Sequence, residues 1–159
     1  MPRRALGVLV PVLVAANIWI YAAIASPGRL GVETLLVEQR SVGLVRLPRG
    51  HAVLVGAGPD ASIVRTLGEA LPPWQRSLDA VVLLGVSADE VGGAPFVLEH
   101  YQVGRLIRPE IRGAAGREAV LAVAIAAAGI PTTNIPPHGR VFLRYGSESL
   151  ELSVSGGLR

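Results

Sequence analysis

The chain has 159 residues, of which 50% are hydrophobic and 17% are charged, and its mean hydropathy is +0.47. This length allows one membrane segment and one small domain, and the composition is too apolar for an ordinary soluble domain. The chain has no cysteine, which excludes disulfides and cysteine-ligated zinc. All 15 basic residues are arginines, scattered without runs or interleaved aromatics, so the net charge of +3 does not by itself indicate nucleic-acid binding.

Residues 1–26 are predicted to be a transmembrane anchor. Arg3 and Arg4 precede an apolar run, residues 5–25, of about the length that crosses a bilayer core. The basic start favours a cytoplasmic N-terminus. A cleaved signal peptide is the alternative, because Ala23-Ile24-Ala25 fits a cleavage pattern. Either interpretation places the rest of the chain outside the cytoplasm, and the first predicts a single-pass protein of the cell membrane.

Residues 27–159 are predicted to form one α/β domain. Apolar runs bounded by turn signals indicate strands, and apolar residues at helical spacing indicate helices. The predicted order is strands over 33–38, 41–47 and 51–56, a helix that Asp60 caps and Pro72 ends, a strand over 80–84, a helix over 94–101, a strand over 105–108, a helix over 116–128, and strands over 132–135, 140–144 and 150–154. This order predicts a mixed sheet with flanking helices. The last strands come so late that we expect any second layer to be incomplete or supplied by another chain.

Residues 79–93 form the candidate functional loop. The predicted buried strand over 80–84 runs into a loop that carries Asp89 and Glu90 and closes on Gly92 and Gly93. The carboxyl end of a buried strand is where α/β proteins usually place their chemistry.

Two stretches carry a resemblance to a known family. Residues 47–60 are LPRGHAVLVGAGPD, and residues 79–93 are DAVVLLGVSADEVGG. In their order after an apolar segment they resemble the C-terminal part of the ComEC-type DNA-internalisation competence proteins, and the resemblance extends over most of the chain. It implies a partial metallo-β-lactamase-like mixed sheet with flanking helices, preceded by one N-terminal transmembrane helix.

The family's metal motif is degenerate in this chain. The motif Thr-His-x-His-x-Asp-His falls on residues 84–90, where Gly85 and Ser87 stand in place of the first two histidines. Asp89 keeps the aspartate, and Glu90 stands in place of the last histidine.

Other family signatures are lost as well. Asp-Val-Gly-Gln-Gly-Asp falls on residues 36–41 and Ile-Asp-Gly-Gly on residues 55–58, and neither stretch keeps the acids. The family's later histidine and aspartate ligands would lie beyond residue 159. The resemblance therefore implies a truncated domain.

We expect neither a catalytic site nor a metal site here. The family uses zinc or manganese, whereas Asp89 and Glu90 offer only oxygen donors, which suit a weakly held Mg²⁺ or Ca²⁺. We expect Asp89 to accept hydrogen bonds from loop N–H groups and Glu90 to be solvated. No cofactor is expected.

The remaining polar candidates give weaker signals. None of the three histidines is paired at ligand spacing, so all are predicted to be surface residues: His51, His100 and His138. Ser87 lacks the Gly-x-Ser-x-Gly setting of a serine nucleophile. Gly56-Ala57-Gly58 lacks the third glycine and the Lys-Ser/Thr pair of phosphate-binding turns.

The expected function is therefore that of a membrane-anchored, catalytically inactive relative of the competence proteins, with a structural or DNA-uptake-associated role. Its expected partners are the membrane and either DNA or a competence channel subunit. The alternative is a metal-dependent nuclease or phosphoesterase completed by a partner chain. A third hypothesis is a non-catalytic single-strand-binding surface of arginines, against which the scarcity of aromatics counts.

Overall fold

The computed structural model describes residues 31–110, 115–136, 139–145 and 148–153. The predicted membrane segment, residues 1–26, and His138 lie outside these ranges. Within them, no helix combines the length and the apolar character that crossing a bilayer requires.

The described chain contains ten strands, four α-helices and one 3₁₀ turn. In order they are β1 (Gly31–Val37), β2 (Arg40–Arg46), a 3₁₀ turn (Pro48–Gly50), β3 (Ala52–Val55), α1 (Ser62–Ala70), β4 (Ser77–Leu78), β5 (Ala80–Val82), α2 (Ala88–Val91), α3 (Ala94–His100), β6 (Gln102–Val103), β7 (Leu106–Pro109), α4 (Ala115–Ala128), β8 (Thr132–Ile135), β9 (Arg140–Tyr145) and β10 (Glu148–Ser153).

The central sheet has the strand order β1-β2-β3-β5-β7-β8. β1, β2 and β3 form an antiparallel meander, and β3, β5, β7 and β8 run parallel. Parallel neighbours need crossover connections, and α1, α3 and α4 provide them. Glu38 and Gln39 form the β1–β2 turn with φ of 46° and 67°, the left-handed pair that a two-residue hairpin requires. β9 pairs with β10 in a separate hairpin, and β4 pairs with β6.

Each face of the sheet has its own apolar layer. The helix-covered face packs Leu54 and Val81 of the strands against Ile63, Val97 and Leu121 of α1, α3 and α4. Because side chains alternate along a strand, the neighbouring residues point to the opposite face.

On that second face Val45, Val53 and Val82 are at most 3% exposed, and Val141 of β9 packs against them. Val32 and Leu36 of β1 lie on the same face and are 59% and 71% exposed, so within the described residues this second layer is incomplete, as expected. The run over residues 80–84 is apolar throughout because both faces of its strand are buried.

The prediction of an α/β fold with a mixed sheet and flanking helices is confirmed. The structure adds three short elements, α2, β4 and β6, which are too short to produce a periodic pattern. The first hairpin turn lies one residue earlier than predicted, because β2 already begins at Arg40.

Candidate functional site

Three loops meet at the carboxyl edge of the parallel strands. They are the β1–β2 turn, the loop between β3 and α1, and the loop that joins β5 to α3. Two backbone hydrogen bonds tie the last two together: the Ala57 N–H donates to the Glu90 carbonyl at 2.9 Å, and the Gly93 N–H donates to the Gly58 carbonyl at 2.9 Å. The candidate loop is thus fixed to its neighbour by its backbone.

The glycine pair allows this close approach. A Cβ atom at Gly93 would overlap the carbonyl oxygen of Ala57, and one at Gly92 would overlap the carbonyl oxygen of Pro59. Backbone atoms cannot rotate away as a side chain can, so these two positions require glycine. The Gly-Gly pair therefore has a structural role at the crossing of the two loops.

Ser87 and Glu90 are hydrogen-bonded to each other at the start of α2. The Glu90 carboxylate accepts from the Ser87 hydroxyl at 2.8 Å and from the Ser87 N–H at 3.4 Å, in a capping box that begins the helix. Glu90 is half-buried rather than fully solvated, because its carboxylate is engaged in this cap. The pattern Ser-x-x-Glu at residues 87–90 is a sequence signal for this cap, and it predicts the short helix that apolar spacing missed.

The Glu90 side chain also covers Gly85. A Cβ atom at Gly85 would meet the Glu90 carboxylate, so the space beside this position is already filled. Gly85, Ser87 and Glu90 thus form one compact unit around a helix cap. These are the three positions at which the resemblance described above would lead us to expect histidines.

Asp89 pairs with Arg40 across the loops. The Arg40 Nη2 lies 2.5 Å from Asp89 Oδ2, and the two side chains are 60% and 43% exposed. The expectation that Asp89 bonds the backbone of its own loop is wrong, because the β1–β2 turn brings a guanidinium to it. Sequence reasoning missed this contact because the residues are far apart in the chain and only the sheet order brings them together.

A further carboxylate, that of Asp60, lies on the neighbouring loop. It accepts hydrogen bonds from the Ser62 N–H at 2.8 Å and the Ser62 hydroxyl at 2.6 Å. These bonds, the hydroxyl first, lower the pKa of Asp60 below 3.8, with a smaller contribution from Glu38 and against the opposing effect of burial. The predicted role of Asp60 as the helix cap is corrected: the cap position is Ala61, and Asp60, one residue earlier, hydrogen-bonds Ser62, the first residue of α1.

Two of the three histidines are described, and neither lies at this edge. His51 lies at the opposite edge, where its Nδ1 is 2.7 Å from Asp79 Oδ1. His100, at the end of α3, has its Nδ1 2.9 Å from the Phe96 carbonyl oxygen. Both are exposed, as predicted.

The donors at the motif positions do not fit a dinuclear zinc or manganese centre. Such a centre needs several imidazoles and carboxylates converging on two ions. Gly85 and Ser87 offer no imidazole. The Glu90 carboxylate hydrogen-bonds Ser87 in the helix cap, and the Asp89 carboxylate pairs with the Arg40 guanidinium. Across the described ranges, no three His, Asp or Glu residues are grouped so that they could hold a metal ion.

An apolar cavity of about 430 Å³ adjoins the candidate loop on the side of α4. Val86, Val91 and Pro95 line it together with Val120 and Leu121 of α4. It is separate from the polar contacts of Ser87, Asp89 and Glu90.

No protein-family model matches the chain, and no curated protein matches it.

Proposed function

We propose that this chain is a non-catalytic, metallo-β-lactamase-like protein that is anchored in the cell membrane by residues 1–26 and serves DNA uptake as a structural component. The proposal combines the sequence resemblance with the local chemistry of the candidate loop. The partial metallo-β-lactamase-like fold, the membrane anchor and the association with DNA uptake are all parts of this proposal.

One observation carries the non-catalytic part. The side chains at the degenerate motif are engaged with one another or with a neighbouring loop: Ser87 with Glu90 in the cap, and Asp89 with Arg40. A hydrolytic metal site needs these positions free to converge on an ion. Here they stabilise the loop instead.

A non-catalytic domain of this kind would serve as a rigid support for the surfaces that contact its partners. The bonded loops at the carboxyl edge and the buried layers on both faces of the sheet give a rigid support. A rigid domain outside the cytoplasm, tethered to the membrane, is suited to positioning DNA or a channel subunit.

The test is metal analysis of the full-length chain purified in detergent, combined with a nuclease assay. We expect no stoichiometric zinc or manganese and no metal-dependent cleavage of DNA. Tight stoichiometric metal would contradict the proposal. Metal-dependent cleavage that disappears in Asp89→Ala would support instead the alternative, a hydrolase completed by a partner chain.

A gain-of-function variant tests whether the loop derives from a metal-binding motif. The triple substitution Gly85→His, Ser87→His and Glu90→His restores the family's motif around Asp89 and removes the carboxylate that fills the space beside Gly85. We expect this variant to bind zinc that the wild type does not bind. The same three substitutions with Asp89→Ala are the control, and zinc binding unaffected by that fourth change would contradict a restored site.

A further inference from the structure

The edge of the sheet opposite the candidate loop carries an exposed cationic and aromatic surface. β3, β5 and β7 begin at this edge, and each is preceded by a loop. We call the exposed side chains of these loops the amino-edge patch, which consists of Arg49, Trp74, Arg76 and Arg105. These residues are far apart in the sequence, and the parallel strand order brings their loops side by side, about 5 Å from one strand to the next.

Hydrogen bonds hold the loops of the patch together. The Gln75 side-chain amide donates to the Gly50 carbonyl at 2.8 Å, which ties the Trp74 loop to the Arg49 turn. The Gln102 N–H donates to the Arg76 carbonyl at 2.8 Å, which ties the same loop to β6. The patch is therefore built on loops that are already connected.

Asp79 adds a second connection between β3 and β5. Its carboxylate accepts from the Ala52 N–H at 2.8 Å and contacts His51, and its own N–H donates to the Ala52 carbonyl at 2.8 Å. The patch thus stands on an edge that is fixed before any ligand arrives, so little conformational entropy is lost on binding.

Trp74 is the unusual member of the patch. Its side chain is 70% exposed, whereas tryptophan is highly buried on average. Pro72 and Pro73 precede it and restrict the backbone that presents the indole. An exposed, positioned indole offers a flat face on which another ring can stack.

The three other members of the patch are cationic and form no ion pair within the described residues. Among the described residues, no carboxylate pairs with Arg49, Arg76 or Arg105. Arg76 also lies close to the hydroxyl of the buried Tyr101.

The acids at this end of the sheet are mostly engaged or on other elements. Glu33 pairs with Arg46 at 2.8 Å. Asp79 is exposed in the loop before β5 and contacts His51 at 2.7 Å, a contact that is an ion pair only when the histidine is protonated. Glu69 and Glu99 are exposed but lie at the carboxyl ends of α1 and α3, outside the patch loops.

We propose that the amino-edge patch binds single-stranded nucleic acid, with Trp74 stacking on a base and Arg49, Arg76 and Arg105 contacting phosphates. Charge complementarity and base–aromatic stacking are the two interactions by which proteins hold single strands without sequence preference. A duplex hides the faces of its bases, so the indole selects the unpaired strand. The inference rests on the proposed DNA-uptake function for its biological setting, and on the patch alone for its chemistry.

The test measures binding of a fluorescent oligothymidylate of about 20 nucleotides to the full-length chain in detergent, by anisotropy at several salt concentrations. Three phosphate contacts predict a slope of log K against log salt of about −2, at about −0.7 per contact. We expect Trp74→Ala to weaken binding about tenfold and Trp74→Phe to retain most of it. Arg49→Ala with Arg105→Ala should reduce the slope to about −0.7.

The matched control is Arg65→Ala, which removes an exposed arginine of α1 outside the patch and should leave both affinity and slope unchanged. Circular dichroism checks that each variant is folded. Absence of binding at low salt, equal losses in Arg65→Ala and Arg49→Ala, or equal affinity for duplex would overturn the inference. These results would not change the outcome of the metal and nuclease tests. Conversely, stoichiometric metal in the wild type would contradict the non-catalytic proposal but would not bear on the amino-edge patch.

Discussion

At the scale of single residues, protonation of the Asp60 carboxylate makes the hydrogen bonds at the start of α1 depend on pH. The Ser62 hydroxyl and N–H hold the pKa of Asp60 below its usual value, the hydroxyl being the larger cause. We expect Ser62→Ala to raise this pKa toward 3.8, measured from the carboxyl carbon shift in NMR. Thr66→Ala is the control, because the Thr66 hydroxyl donates to the Ser62 carbonyl and does not reach Asp60. An unchanged pKa in Ser62→Ala would contradict the assigned cause.

The lowered pKa of Asp60 also makes the stability of the folded chain depend on pH in a defined direction. A carboxylate with a lowered pKa in the folded state contributes stability above its unfolded pKa, and this contribution is lost as the pH falls through the folded value. Asp60→Asn keeps the shape of the side chain but does not titrate. The stability advantage of the wild type over this variant should therefore be constant at neutral pH and shrink below about pH 4.

At the scale of elements, α4 is attached to the sheet by few contacts. Leu121 is the only residue of this helix whose side chain is fully buried. A bidentate pair adds to it: the Arg108 Nη2 of β7 donates to both oxygens of Glu118, at 2.6 and 2.7 Å, with side-chain exposures of 13% and 23%. Ala124 and Ile125 are partly buried against the same core, and the shielded pair adds to these apolar contacts.

We expect Glu118→Gln to lower the free energy of unfolding by about 1–3 kcal/mol, because it leaves the Arg108 guanidinium shielded without its counter-charge. Hydrogen exchange should show the loss in α4 first. Glu33→Gln is the matched control: its pair with Arg46 is nearly half exposed on both sides and should contribute less than about 1 kcal/mol. Equal effects of the two substitutions would refute the role of shielding.

The burial pattern of each helix or strand also decides how much of its structure can be predicted from the sequence. The strands over residues 52–55 and 80–82 are predictable because both of their faces are buried, which leaves an uninterrupted apolar run. α4 is predictable as a helix, but its uniform alanine-rich composition does not indicate which side is buried. The pairs Arg40–Asp89 and His51–Asp79 depend on strand order, which no local pattern contains. Sequence reasoning therefore located the candidate loop and misassigned its two carboxylates.

At the scale of the whole molecule, the two ends of the sheet have different characters. The carboxyl edge is closed by backbone bonds, a helix cap and an internal ion pair. The amino edge presents an indole and three arginines that form no ion pair with a described carboxylate. The candidate loop is therefore closed by its own contacts, while the opposite edge carries the exposed groups on which the proposed binding of nucleic acid depends.

The β9–β10 hairpin determines whether the second face of the sheet stays covered. Val141 packs against the layer of Val45, Val53 and Val82, while its neighbour Phe142 points away and is 60% exposed. We expect Val141→Asp to lower the free energy of unfolding by about 2–3 kcal/mol, because it places a carboxylate against an apolar layer without a partner. Phe142→Asp should change it by less than about 0.5 kcal/mol, since that side chain is mostly solvated. Urea unfolding of the full-length chain measures both, and a larger effect at Phe142 would mean that the hairpin packs through its other side.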